Sequence, residues 1–242
     1  MRFHDNFPGK KKVFLAVIHL RNRHVGDEQE VRDNIKAAVL GGADGIFLIN
    51  QHPSSDMNQI IDAAVSASNQ YSNIWIGANF LSYGPVEITT NLPICIRGVW
   101  IDDGQIDETS IKQPRAENVK KCFDSLGGFW TGLHFGGVAF KYQAPVKSCA
   151  MAAKSAMGLM DVITTSGPGT GLTAEVSKIR EMREAIGDYP LALASGVTAE
   201  NIHEYLPYVD CFIIGTGIES SEHKVSEEKV RAIRVRIDQF LL

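Results

Sequence analysis

The stretch Leu191-Ala192-Leu193-Ala194-Ser195-Gly196-Val197-Thr198, followed by Cys211-Phe212-Ile213-Ile214-Gly215-Thr216-Gly217, decides the fold. Each piece is a short, continuous apolar run that breaks abruptly into small residues and glycine. Such a run reads as a strand buried on both faces, which is the signature of a parallel sheet covered by helices. Thr198 suits the capping position of a short helix over 198–206. The two pieces are therefore successive strand–turn–helix units.

The same alternation extends to both ends of the chain. Strands are predicted at 13–18, 45–49, 74–78 and 95–101, a fifth at 137–141, and then 161–165, 191–194 and 211–214. Between them run segments of helical period. Val31, Ile35, Ala38 and Val39 form one apolar stripe ended by Gly41 and Gly42, and Ile60, Ile61, Ala64 and Val65 form a second. Further helices are expected after Pro85 and over 114–126, 145–160 and 173–186. The last, over 225–240, carries Val230, Ile233, Ile237 and Phe240 on one face. Eight regular units without a break in composition predict one domain over 1–242, a single (β/α)8 TIM barrel. A doubly wound open sheet would alternate in a similar way, but eight even units favour closure.

Composition narrows the function. Of 242 residues, 44% are hydrophobic and 21% charged, which is ordinary for a globular chain. A formal net charge of −4 offers no basic field for nucleic acid. No apolar run reaches membrane-spanning length, so membrane insertion is not expected. Residues 1–12 carry no apolar core leading to a small-residue cleavage site, and the expected location is cytoplasmic. Cys95, Cys122, Cys149 and Cys211 form no Cys-x-x-Cys pair and match no zinc spacing, so they read as buried small apolar residues. Homo-oligomer formation is left open.

In such a barrel the chemistry belongs to the loops after the strands. Ser195 and Gly196 follow strand seven, and Gly215, Thr216 and Gly217 follow strand eight. Glycine lets the backbone approach an anion closely, and N–H groups at a helix start donate to phosphate oxygens. Paired turns at neighbouring strand ends point to a phosphate site more strongly than to tight turns alone. The Ser166-Gly167-Pro168-Gly169-Thr170-Gly171 loop after strand six is a third arm of that cup, with Gly171 as its anion contact, or else a lid.

Lys141 and Asp103 are the acid–base candidates; partial desolvation at a strand end favours such work for Lys141, which could equally neutralise a substrate phosphate. Asp102 and Asp103 together would suit Mg²⁺, or would be solvated turn residues beside Gly104. His19 and Asn79, after strands one and three, are further candidates at the mouth. Arg97, within the fourth strand, pairs with a carboxylate or reaches the mouth to hold an anion. His4, His24, His52, His134, His203 and His223 show no mutual ligand spacing and read as surface or packing residues.

Several of these segments resemble the BtpA/SgcQ family of predicted TIM-barrel enzymes, within the ribulose-phosphate-binding barrel group. They are Val17-Ile18-His19-Leu20, Gly41-Gly42-Ala43-Asp44-Gly45, Gly77-Ala78-Asn79-Phe80-Leu81, Ile96-Arg97, Thr170-Gly171, Ser195-Gly196-Val197-Thr198 with Asn201-Ile202, and 210–216. The similarity spans nearly the whole chain and is clearest over 161–217. It implies a barrel handling phosphorylated sugars or related metabolites, although one branch of the family is linked to photosystem I biogenesis. By this resemblance the chain would be a divergent member. It has Arg21-Asn22-Arg23-His24 in place of a Pro-rich loop, Ile49 in place of an acidic residue, Ser82-Tyr83-Gly84 in place of Arg-Asn-Asp, and Tyr142 in place of a histidine. These changes fall on the mouth.

The expected function is thus that of an enzyme acting on a small phosphorylated metabolite, with isomerase, lyase and transfer chemistry all open. The alternative is a non-catalytic assembly or regulatory protein that keeps the phosphate site. A prenyl-diphosphate-using barrel is a third reading and would need an elongated apolar groove.

Overall fold

The computed structural model describes residues 2–20, 27–50 and 56–242. Among these residues, eight parallel strands close into a barrel in sequence order. They are β1 (Val13–Leu20), β2 (Gly45–Asn50), β3 (Trp75–Asn79), β4 (Gly98–Ile101), β5 (Leu133–Gly137), β6 (Val162–Ser166), β7 (Leu191–Ala194) and β8 (Cys211–Ile214). Closure is sealed by β1 against β8, with Val13 opposite Cys211 and Ala16 opposite Ile214. The outer layer consists of α2 (Asp27–Gly41), α3 (Met57–Gln70), α4 (Pro85–Asn91), α5 (Pro114–Asp124), α6 (Cys149–Ala156), α7 (Val176–Ile186) and α8 (Glu227–Leu241). No helix of the described residues is long and apolar enough to cross a membrane.

Strand alternation divides the core in two. Val13, Leu15 and Val17 of β1 point into the barrel with Phe47, Trp75, Trp100 and Phe135, while Phe14, Ala16 and Ile18 face the helices. The interior aromatics pack edge to face, with Phe47 5.1 Å from Phe135 and 5.4 Å from Trp75. Their volume is accommodated by glycine on the adjoining strand. A Cβ on Gly77 would lie 2.3 Å from the Phe47 ring, and one on Gly98 would lie 2.2 Å from Trp75.

A short helix, α1 (Arg2–Asn6), plugs the N-terminal end of the barrel and has no counterpart in the sequence reading. Phe7, just beyond it, packs 5.0 Å from Trp75, and Asn6 Oδ1 accepts the Trp75 indole N–H at 3.1 Å. Five residues are too few to show a helical stripe.

Other boundaries differ from expectation, each for a local reason. The fifth strand is 133–137 rather than 137–141, because Ala139 at φ +47° and Tyr142 at φ +66° turn the chain out of the sheet. Lys141 therefore rides on a loop beyond the strand end. The fourth strand starts only at Gly98, after a turn closed by the Ile96 N–H on Pro93 O. Arg97 is consequently exposed at the end of the barrel opposite the mouth, 3.4 Å from Asn6 Oδ1, and does not reach the mouth. The helix expected over 145–160 begins at Cys149, where the Ser148 hydroxyl accepts the Met151 N–H. In place of a helix over 198–206 there is a turn with a short 3-10 segment, Ile202–Glu204. Asn201 stabilises that turn, accepting the Thr198 N–H and donating to Gly196 O, both at 2.8 Å. Of the four cysteines only Cys211 is fully buried; Cys95, Cys122 and Cys149 are half-buried.

Between β8 and α8 the chain inserts a small antiparallel hairpin, β9 (Glu219–Ser221) with β10 (Lys224–Val225). It follows a 3-10 turn, Thr216–Ile218, and sits beside the open end of β1.

Candidate functional site

Inward-facing positions at the C-terminal ends of the strands converge on a small cup. A cavity of about 50 Å³ is walled by His19, Lys141, Thr170, Gly171, Ser195, Gly215 and Thr216, over an apolar floor that includes Val17, Trp100 and Ile213. The loops after β6, β7 and β8 touch one another here. Gly171 faces Thr216, whose Oγ1 lies 3.5 Å from the position of an added Cβ. Gly196 at φ +70° sits against the loop after β6, so closely that a Cβ would lie 2.3 Å from Leu172 O. Ser195 is itself left-handed at φ +71°, a conformation that disfavours any residue with a Cβ. The tight turn directs its hydroxyl toward Lys141. All five residues expected to contact phosphate, Gly171, Ser195, Gly196, Gly215 and Thr216, thus lie at one corner of the mouth.

Lys141 spans this corner. Its Nζ donates to Thr170 Oγ1 at 3.1 Å and to Ser195 Oγ at 3.3 Å. Its backbone N–H donates to the buried Ser166 Oγ at 2.8 Å, which pins the loop to the end of β6. Its neighbour Tyr142 places its hydroxyl 3.2 Å from Thr170 Oγ1. Trp100 on the floor is 4% exposed, and its indole N–H has no acceptor among the described residues.

On its other side Lys141 borders a wider groove of about 480 Å³, walled by Asp102, Asp103, Asp107, Glu108, Tyr142 and Gln143 among others. The two neighbouring aspartates behave differently. Asp102 continues the inward alternation of β4, and Asn79 Nδ2 donates to its Oδ1 at 2.8 Å. Burial raises the Asp102 carboxyl above its ordinary value, against the opposing pull of the Asn79 hydrogen bond and the Lys141 charge. Asp103 is exposed, and its carboxylate accepts the Gln105 backbone N–H at 2.8 Å and side-chain amide at 2.7 Å. It is thus held in a turn, and the two carboxylates have separate partners. Asn50 lies outside the mouth altogether, because strand alternation turns Ile49 inward instead.

His19 reaches the cup as expected, and its partners are residues that the sequence did not single out. Its Nδ1 lies 3.0 Å from Glu219 Oε1, and its ring centroid lies 4.8 Å from that of His223. His223 Nδ1 is 3.8 Å from the same Glu219 oxygen, and its Nε2 is 3.4 Å from Glu222 Oε1. Burial would raise the Glu219 carboxyl, but the hydrogen bonds and charges of His19 and His223 outweigh it and hold the group below its ordinary value. His223, expected to be a surface or packing residue, is packed against the His19 ring by the hairpin. Only the Glu219-x-x-x-His223 spacing hinted at this, and nothing in the sequence tied it to His19 200 residues away. Of the remaining histidines, His134 is buried against Phe123, and His24 and His52 lie outside the described residues.

No family model matches the chain. Over 79 residues it is 35% identical to the uncharacterized protein TK2179 of Thermococcus kodakarensis, a stretch covering 31% of this chain and 30% of that protein. Among solved structures, (S)-3-O-geranylgeranylglyceryl phosphate synthase from Thermoplasma acidophilum, in complex with sn-glycerol-1-phosphate, superposes with a TM-score of 0.67 at 15% identity, covering 98% of this chain and 97% of the other. Thiamine phosphate pyrophosphorylase from Pyrococcus furiosus follows at 0.65 and 12%, covering 96% and 98%. Phosphoribosyl anthranilate isomerase from Thermus thermophilus gives 0.61 and 15%, covering 93% and 99%. At these identities the likeness shows the fold alone, a TIM barrel.

Proposed function

We propose that the protein is an enzyme acting on a small phosphorylated metabolite, with the phosphate in the cup and the body of the molecule in the adjoining groove. The observation that carries this reading is the convergence of Gly171, Ser195, Gly215 and Thr216 on one small cavity, bridged by the Lys141 ammonium, with Gly196 packed behind it against the loop after β6. A cation held between two hydroxyls beside close-packed backbone suits a phosphoryl group, since charge-assisted hydrogen bonds are the strong ones. The unpartnered Trp100 N–H gives a ligand oxygen a further donor in the floor. The superposed barrels act on or were solved with phosphate compounds, and the resemblance to the BtpA/SgcQ family points the same way.

Lys141 neutralises the phosphate and polarises the substrate from the border between cup and groove. Asp102, with its raised carboxyl and its Asn79 partner, serves as the acid–base group in place of Asp103, whose carboxylate is held by Gln105. Asp102, Asp103, Asp107 and Glu108 line the groove, and such a wall suits a hydroxyl-rich body better than an isoprenoid chain.

The test is a thermal-shift and calorimetric screen of inorganic phosphate and phosphorylated metabolites against wild type, Lys141→Met and Gly215→Asp. Wild type is expected to be stabilised. Losing one charge-assisted contact weakens binding by roughly 10- to 100-fold in Lys141→Met, and Gly215→Asp abolishes it by repulsion. Equal responses from folded wild type and variants would remove the phosphate site. Binding without turnover of any ligand found would favour the assembly or regulatory alternative.

A further inference from the structure

At the same mouth, on the side of the cup formed by β1 and the β9–β10 hairpin, we infer that His19, Glu219 and His223 form a binding site for a divalent first-row transition metal, Zn²⁺ by donor chemistry. This goes beyond the phosphate reading and does not depend on it.

One donor atom from each of these residues lies within 4.8 Å of the other two, and they are the only such group of three among the described residues. The donors come from two distant parts of the chain, β1 for His19 and the hairpin for Glu219, on β9, and His223, in its turn. Their side chains are largely enclosed, at 14%, 9% and 14% exposure, although all three are polar. Enclosing two imidazoles around one carboxylate is unfavourable unless the set is well bonded. His223 is held at φ +62°, a left-handed conformation that a residue with a Cβ adopts only under local constraint, and the constraint brings its ring against His19.

The chemistry of the set selects the ion. Two imidazole nitrogens and one carboxylate oxygen suit Zn²⁺ and its neighbours rather than Mg²⁺ or Ca²⁺, which prefer oxygen donors throughout. The separations of 3.0 Å and 3.8 Å from Glu219 Oε1 to the two Nδ1 atoms bracket the spacing of roughly 3.4 Å between donors about 2.1 Å from a tetrahedral ion. Glu222 stands 3.4 Å from His223 Nε2, and a carboxylate on the far nitrogen is the usual support of a histidine that ligates through Nδ1. Among the described residues three protein donors meet there, the number that a catalytic zinc site takes from its protein. His19 also lines the cup, where its Cε1 lies 3.3 Å from the position of a Cβ added to Gly215. The three donors therefore stand beside any group held there.

The experiment uses the full chain stripped with a chelator and then titrated with Zn²⁺ alone, in competition with a chromogenic chelator. Co²⁺ is added in parallel and followed by its visible spectrum. Uptake of a single equivalent is expected, with a Co²⁺ spectrum of low coordination number. Affinity should fall more than about 100-fold in Glu219→Gln and His223→Ala, and about 10-fold in Glu222→Gln, whose residue supports a ligand without being one. Because a variant can fail to fold, X-ray absorption of the Zn²⁺-loaded wild type supplies an independent readout: scattering from two imidazoles is expected. No stoichiometric uptake by wild type, uptake unchanged in the folded variants, or a spectrum without imidazole scattering would each overturn the site. None of these readouts involves a phosphorylated compound, so the metal site and the phosphate cup stand or fall separately.

Discussion

Gly196 and Gly215 look alike in the sequence, each one or two residues past a strand end, yet the structure predicts opposite responses to alanine. At Gly196, φ is +70°, and a Cβ would lie 2.3 Å from Leu172 O, 2.4 Å from its carbonyl carbon and 2.6 Å from Thr173 N. All three are backbone atoms of the loop after β6 and have no rotamer by which to yield. The left-handed backbone costs alanine about 1–2 kcal/mol, and forcing apart packed backbone adds about 1–3 kcal/mol. Gly196→Ala should therefore lose about 2–5 kcal/mol, which in a chain of this size lowers Tm by about 5–15 °C. At Gly215, φ is not in the left-handed region, and the added methyl would meet His19 Cε1 at 3.3 Å and Val17 Cβ at 3.4 Å. That mild crowding is offset by the lower entropy of the unfolded chain, so the change should stay within about 1 kcal/mol. Urea denaturation of both variants beside wild type measures the difference. Equal losses, or a loss below about 1 kcal/mol for Gly196→Ala, would mean that the loop after β6 does not lean on the turn after β7, and the wall of the cup would have to be redrawn.

Two further predictions concern stability. Burial holds the His134 imidazolium down to about 4 from 6.5, against a weaker opposing contact with the Leu159 backbone. The unfolded chain therefore binds the extra proton across that window. Stability is complete above about pH 6.5 and falls by about 3 kcal/mol as pH drops to about 4. His134→Phe, which keeps the stacking on Phe123, should flatten this part of the stability–pH curve; an unchanged slope would show that the imidazole is hydrated. Asp44 is 5% exposed and accepts from Arg234 at 3.1 Å, Lys10 at 2.7 Å and the Phe14 N–H at 2.8 Å, tying α8 to the start of the barrel. Asp44→Asn should cost about 3 kcal/mol by leaving Arg234 poorly paired, and a loss below about 1 kcal/mol in chemical denaturation would contradict that.

The sequence by itself determined the barrel. Apolar runs such as 211–214 are too continuous for a sheet with a wet face, and eight of them alternating with helical stripes leave few alternatives to closure. Because each turn follows its strand directly, it also placed Gly171, Ser195, Gly196, Gly215 and Thr216 at one end. Local signals were weaker where backbone conformation departed from propensity. Ala139, Tyr142 and Ser195 take left-handed φ values without being glycine, so the length of β5 and the course of the Lys141 loop were hidden. Register decided between adjacent polar residues: a period of two turns Asp102 and Ile49 inward and Asp103 and Asn50 away, and one position of uncertainty exchanges them. The grouping of His19 with Glu219 and His223 belonged wholly to the tertiary structure. It requires β1 and β8 to meet where the barrel closes and an inserted hairpin to fold over that seam, and no spacing along the chain encodes a contact made by closure.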